Sequence, residues 1–249
     1  MLYCGGTRQS GQKGPGIMTT ISANLQAVTA RIGRAAHGAS RPVDGVTLLA
    51  VSKTWPADML RQAAACGQRH FGENYVQEGL SKIESLKDLD LVWHFIGPLQ
   101  SNKTSLVARH FAWVHGIDRL RIAERLSVAR GETGAAPLQV CLQVNVSGEE
   151  TKSGVVPEEI PALARALAAL PHLCLRGLMT IPEPTDDLAL LKSRFAQLRQ
   201  LLEALQAEGL AVDTLSMGMS DDFELAIQEG ATIVRVGSAI FGNRVRGKE

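Results

Sequence analysis

The sequence predicts a single (β/α)8 TIM barrel with an extra N-terminal helix, and three observations carry that prediction. Short, β-rich apolar runs alternate with helical patterns along almost the whole chain, the arrangement expected of βα units on a parallel sheet. Eight such runs fit within the 249 residues, more than a six-stranded open sheet needs. The residues able to do chemistry fall just after those runs, where the loops at one end of a barrel would gather them.

The elements follow in order. A helical pattern covers residues 21–36, and strand-like runs lie near 46–51, 70–71, 92–96, 113–115, 138–144, 173–178, 214–216 and 233–236. Helical patterns lie between them, near 57–66, 74–86, 103–110, 119–130, 158–169, 186–208 and 221–229. The clearest is 186–208, where Leu188, Leu191, Phe195, Leu198, Leu202 and Leu205 repeat at spacings of 3 and 4. Thr185-Asp186-Asp187 supplies its cap and Gly209 closes it. The run at 138–144 mixes alternation with continuous apolarity, as a barrel strand should, whereas 70–71 and 214–216 are the shortest and weakest.

Residues 1–17 read differently. They hold five glycines, Arg8 and Lys13, no acidic residue and no apolar period. They also lack the apolar stretch of a signal peptide. A disordered or misassigned leader is expected there, with Met18 opening the natural chain and one domain spanning 18–249.

Composition narrows the function. With 45% apolar and 20% charged residues the chain can bury a full core. A formal net charge of +1 gives no electrostatic reason to expect nucleic acid or an anionic membrane as partner. No apolar run approaches the roughly 20 residues that span a bilayer, so a soluble chain is expected. Cys4, Cys66, Cys141 and Cys174 form no CxxC pair and read as structural filler in a reducing cytoplasm. The six histidines show no ligand spacing, so no metal site is expected. A barrel that buries its own core predicts a monomer.

Lys53 ends the first apolar run, Val46-Thr47-Leu48-Leu49-Ala50-Val51-Ser52. A surface lysine is the plain reading. Partial burial would instead lower the ammonium pKa and expose a nucleophilic amine fit to form an imine. Two loops could hold a phosphate: Ser216-Met217-Gly218-Met219-Ser220, with Ser220 expected as the N-cap of a helix from Asp221, and Gly237-Ser238 after the last strand. Ordinary capping and a tight turn explain the same residues, and Asp221-Asp222 would oppose a phosphate if turned inward. Arg235 ends an apolar strand and needs a partner. A structural ion pair would serve. So would the pyridine nitrogen of a cofactor, which an arginine keeps unprotonated, disfavouring transamination. An imine-forming lysine beside phosphate loops makes pyridoxal phosphate (PLP) the leading cofactor. The loop Gly97-Pro98-Leu99-Gln100-Ser101-Asn102-Lys103 has the wrong spacing for a nucleotide-phosphate loop, and His94 reads as a satisfied core histidine.

Several strings then take on a family likeness. Ala50-Val51-Ser52-Lys53-Thr54, Phe71-Gly72-Glu73-Asn74-Tyr75, the run from His94 to Lys103, the run from Ser216 to Phe223 and the run from Arg235 to Gly242 resemble the pyridoxal phosphate homeostasis protein family. The likeness covers about residues 19 to 244, in order and with natural spacing. It implies a single barrel similar to the N-terminal domain of alanine racemase, with PLP held as a Schiff base on Lys53. It further implies phosphate on Ser220, Gly237 and Ser238, Arg235 near the pyridine nitrogen and Asn74 near the ring. The implied role is intracellular PLP storage, delivery to apo PLP-dependent enzymes, or vitamin B6 balance.

Carrier and enzyme remain distinct readings. A PLP-dependent amino-acid racemase needs a second base opposite the lysine, which in alanine racemase comes from a separate domain. This chain ends at Glu249, just after the last strand, so no such domain is expected. Tyr3 and Tyr75 are poorly placed, and His94 is the other acid/base candidate in these motifs. A carrier without robust turnover is therefore favoured, with the racemase as the alternative. A phosphosugar aldolase-like barrel, with Lys53 bonding substrate directly, is the third.

Overall fold

The computed structural model describes residues 20–148 and 153–242. Helix α1 (Ile21–Gly38) precedes eight strands: β1 (Thr47–Val51), β2 (His70–Glu73), β3 (Val92–Phe95), β4 (Trp113–Ile117), β5 (Leu138–Gln143), β6 (Leu173–Met179), β7 (Thr214–Ser216) and β8 (Ile233–Val236). Between and after them lie α2 (Ala57–Ala65), α3 (Val76–Ser85), α4 (Thr104–His110), α5 (Leu120–Gly131), α6 (Ile160–Ala168), α7 (Leu188–Ala207), α8 (Phe223–Gln228) and α9 (Ser238–Phe241). All neighbouring strands are parallel, and β8 pairs back onto β1, which closes the barrel. The expected architecture is the observed one. The proposed leader, with Tyr3, Cys4 and Met18, lies outside the described residues.

Two hydrophobic layers result from strand alternation. Outward-facing strand residues and the helices form one large cluster, built around fully buried Phe71, Phe95, Phe111, Phe195 and Phe223. Leu49, Ile96 and Ile233 form a second, separate cluster with Val51 and Trp113. Leu49 is in register with Arg235 on β8, so this small cluster shares the barrel interior with polar side chains. Helix α7 runs as the leucine spacing requires, with Asp187 accepting from the amides of Ala189 and Leu190 and Gly209 at φ +88° beyond its end.

Three local expectations fail. Strand β2 continues through Gly72 and Glu73, because the buried Glu73 carboxylate finds polar partners inside the protein. Ser220 is not an N-cap: helix α8 starts at Phe223, and a turn closed by Asp222 Oδ1 on the Met219 amide (2.5 Å) takes up residues 219–222. Cys66 is exposed at the end of α2 rather than filling the core, whereas Cys141 is buried.

Gly177 in β6 sits at φ +154°, and a Cβ there would stand 2.0 Å from the Thr214 carbonyl oxygen of β7. Gly177→Ala is therefore expected to cost about 3 kcal/mol or more, since it adds a backbone clash to a strained conformation. Urea unfolding curves of the two proteins, compared at equal m-value, check this.

Candidate cofactor-binding site

The six residues singled out in the sequence, Lys53, Asn74, Ser220, Arg235, Gly237 and Ser238, line one cavity of about 620 Å³ at the carboxyl ends of β1, β2, β7 and β8. That size suits a small cofactor. Val51, Trp55, Ile96, Ile181 and Met219 form its apolar wall, and Asp221 also lines it, the acid expected to oppose a phosphate if turned inward. A larger hollow of about 740 Å³ adjoins it, but its charged groups are the carboxylates of Glu183, Asp186, Asp221, Asp222 and Glu224. It has the wrong sign for a phosphate.

Lys53 lies two residues past β1 and is half-buried. Its neighbours are tied on both sides. The Ser52 amide donates to Gly72 O at 3.0 Å and its hydroxyl to Glu73 Oε1 at 2.6 Å. Lys82 Nζ donates to Ser52 O at 2.7 Å and to Glu73 Oε1 at 2.8 Å and Glu78 Oε1 at 2.6 Å. Glu78 Oε1 in turn accepts from the Thr54 amide, where Thr54 holds a left-handed φ of +70°. A buried ion cluster thus clamps the backbone on either side of the lysine. Burial is the largest influence on Glu73 and pushes its pKa up, against the pull of Lys82 and Ser52. Sequence reading missed Lys82. Its signal is a lysine three residues from Gly79 and six from Val76, on the face of α3 that meets the barrel, four after a glutamate.

Arg235 is buried in the barrel and is held by oxygens of uncharged groups. One Nη donates to Ser216 O (2.6 Å) and Ser216 Oγ (2.9 Å), the other to Thr180 O (2.7 Å). Of the two partners considered for it, an ion pair is not among the salt bridges of the described residues. Burial lowers its pKa to about 10, with Asp222 opposing, so it stays a cation at neutral pH. His94 is fully buried with both ring nitrogens 2.9 Å from other histidines, a satisfied core residue as expected.

Helix α1 reaches round to both phosphate-loop candidates. Arg31 pairs with Glu224, lies over the Phe223 ring at 4.4 Å and donates to Ser220 O at 3.3 Å. Asn24 donates to Ile240 O of α9 at 2.8 Å. The Gln100–Lys103 end of the third motif is not brought in: it lines a neighbouring hollow with Tyr75 and the far side of Asn74.

Two features fit a ring-bearing phosphate cofactor. Asn74 Oδ1 is buried without a hydrogen-bond partner, although buried polar atoms are normally paired. A Cβ on Gly237 would stand 3.1 Å from Val51 O, so glycine lets β8's end lie close against β1 beside Lys53. The comparisons agree with this geometry. Residues 23–245 match the family model described as alanine racemase, N-terminal domain. The pyridoxal phosphate homeostasis protein of Pseudomonas aeruginosa is 60% identical over 227 residues, covering 91% of this chain and 97% of that one. The chain belongs to the pyridoxal phosphate homeostasis protein family. Among solved structures, PipY of Synechococcus elongatus without PLP superposes with TM-score 0.81 at 42% identity, covering 90% of this chain and all of that one. The same protein with PLP bound gives 0.78 at 40% identity, again over 90% of this chain.

Gly97 connects the third motif to this cavity. A Cβ there would lie 2.3 Å from Asn74 O and 2.9 Å from Asn74 Cα. Gly97→Ala is expected to push Asn74 out of the cavity wall and weaken ligand binding about tenfold, the equivalent of about 1.4 kcal/mol. A fluorescence titration against wild type measures it.

Proposed function

We propose that this protein binds PLP in the 620 Å³ cavity through a covalent bond to Lys53 and holds it for delivery within the cell rather than turning over a substrate. The observation that carries the reading is the convergence of an amine, two serine hydroxyls, a buried guanidinium and an unpaired amide oxygen on one cavity. Bound PLP supplies an aldehyde for a lysine amine and a ring that absorbs visible light. Ser220, Gly237 and Ser238 would take the phosphate, Arg235 would face the pyridine nitrogen, and Asn74 would meet the ring. The clamp on Ser52 and Thr54 would keep the Lys53 amine at the cavity wall.

The carrier reading has support against the racemase alternative. His94 is locked between two other histidines, and Tyr75 is exposed beside the neighbouring hollow. Neither is placed to act as a base across from Lys53. Domain 18–249 as one functional unit, a monomeric state, a cytoplasmic location and apo PLP-dependent enzymes as acceptors complete the proposal. Among the described residues, no helix is long and apolar enough to cross a membrane.

Titration of the purified protein with PLP is the test. A visible band that borohydride removes, with the added mass on the peptide carrying Lys53, supports the reading. No band at saturating PLP would return the phosphosugar-type barrel to first place.

A further inference from the structure

The barrel interior carries one unbroken hydrogen-bonded chain of side chains. Starting at Arg235 on β8, it runs to Ser216 on β7 (2.9 Å), His115 on β4 (2.8 Å), His94 on β3 (2.9 Å) and His70 on β2 (2.9 Å). Ser216, His94 and His115 have no exposed surface, and His70 lies half-buried at the start of its strand. The chain therefore leads from the cavity floor towards the opposite end of the barrel.

One direction along it makes His115 the acceptor. Arginine can only donate, so Ser216 Oγ accepts from it, and in this direction the hydroxyl proton turns to His115 Nδ1. His115 must then be the Nε2–H tautomer, donating to His94 Nδ1, and His94 likewise donates through Nε2 to His70 Nδ1. The opposite tautomers, with His115 Nδ1–H donating to Ser216 Oγ, would satisfy the same contacts, and the histidine ring protons distinguish the two.

We propose that His115, acting through the Ser216 hydroxyl, is a positioning residue for Arg235, and that His94 and His70 hold it in the tautomer this requires. The proposal rests on the PLP reading only for what Arg235 does once positioned. Without an acceptor at His115 Nδ1, the Ser216 hydroxyl would turn its proton elsewhere and compete with Arg235 for the carbonyl oxygens to which Arg235 now donates. The other groups facing Arg235 are the Thr180 carbonyl after β6, Cys141 on β5, and Asp222, whose charge acts on it from before α8. Burial and the Arg235 charge keep His115 neutral, with its pKa lowered to about 3, and burial with the two flanking histidines holds His94 well below the usual range.

Two variants separate positioning from bulk stability. His115→Asn keeps an acceptor oxygen near the Nδ1 position but loses the bond to His94, whereas His115→Leu loses both. Both are expected to unfold at lower urea. In the PLP complex, Arg235→Gln should let the visible band shift with pH between 5 and 8, as the ring nitrogen becomes free to titrate. His115→Leu should copy that behaviour and weaken PLP about fivefold, the loss of about one hydrogen bond, while His115→Asn should match wild type. A His115→Leu spectrum as flat as wild type, or an Asn spectrum like that of Leu, would overturn the proposal.

Nitrogen NMR of the histidine rings tests the chain without cofactor. Protonated Nε2 and bare Nδ1 on His115 and His94 are expected, and an Nδ1–H signal on His115 would sink it. If wild type shows no PLP band, the cofactor reading falls alone. The Arg235 Nη–H exchange rate, faster in His115→Leu but not in His115→Asn, then decides the positioning claim.

Discussion

Replacing Lys53 with alanine is expected to abolish the borohydride-sensitive PLP band and leave the fold intact. The two effects separate because the clamp contacts run through the backbone of Ser52 and Thr54 and the Ser52 hydroxyl. Ser52 and Thr54 are tied through their backbone and the Ser52 hydroxyl to Glu73, Glu78 and Lys82, none of which contacts depend on the Lys53 side chain. Removing a half-buried side chain at a cavity wall should change stability by no more than about 0.5 kcal/mol. Remaining contacts to phosphate and ring would still bind PLP, but at least about tenfold more weakly, because the covalent step no longer draws the equilibrium forward. Absorbance titration and urea unfolding of the same preparation read both quantities. A surviving borohydride-sensitive band in Lys53→Ala would mean that another amine carries the cofactor. An unfolded variant would mean that the lysine is part of the clamp after all.

The barrel was legible because its signal is repeated eight times. Alternation of apolar runs and helical periods fixes the order of elements even where one run is as short as Thr214–Ser216. The six cavity residues were legible for a related reason: barrel topology sends every strand's carboxyl end to one face, so position after a strand is enough to bring them together. What sequence could not give were contacts between groups far apart in the chain. Ser216 and His115 are 101 residues apart, and His94 reads as an ordinary core residue until His70 and His115 are seen on either side. Lys82 was hidden for another reason. It looks like one of many helical lysines, and only the burial of Glu73 on the neighbouring strand makes it necessary. The cap was placed two residues too early, at Ser220, because Asp221 and Asp222 both resemble first-turn acids, whereas Asp222 closes the turn before the helix.

Acid is expected to unfold this protein by way of the same histidines. Unfolded, His94 and His115 would titrate near the usual 6.5. Folded, His115 titrates at about 3 and His94 well below its ordinary value, because burial disfavours the charged ring. A folded pKa that is depressed means stability present above the unfolded value and lost as pH falls below it, since only the unfolded state takes up the protons. Two such groups make stability fall steadily below about pH 6.5, by several kcal/mol by pH 5. That is a large share of the 5–15 kcal/mol typical of a folded domain. Glu73 and Asp222 act in the opposite sense. Burial raises both, so the folded state binds their protons more readily just above the ordinary carboxylate values, which moderates the loss near the acid end of the window. Asp213, whose folded pKa is lowered, loses stability only further down, near and below 3.8. The cofactor-free protein should therefore be most resistant to urea at pH 7 to 8 and distinctly weaker at pH 5. In the double variant His94→Asn, His115→Asn the whole curve should lie lower but run much flatter between pH 7 and 5, because the two titrating groups are gone. An unchanged slope in that variant would assign the acid sensitivity to other groups and leave the histidine chain a purely neutral scaffold.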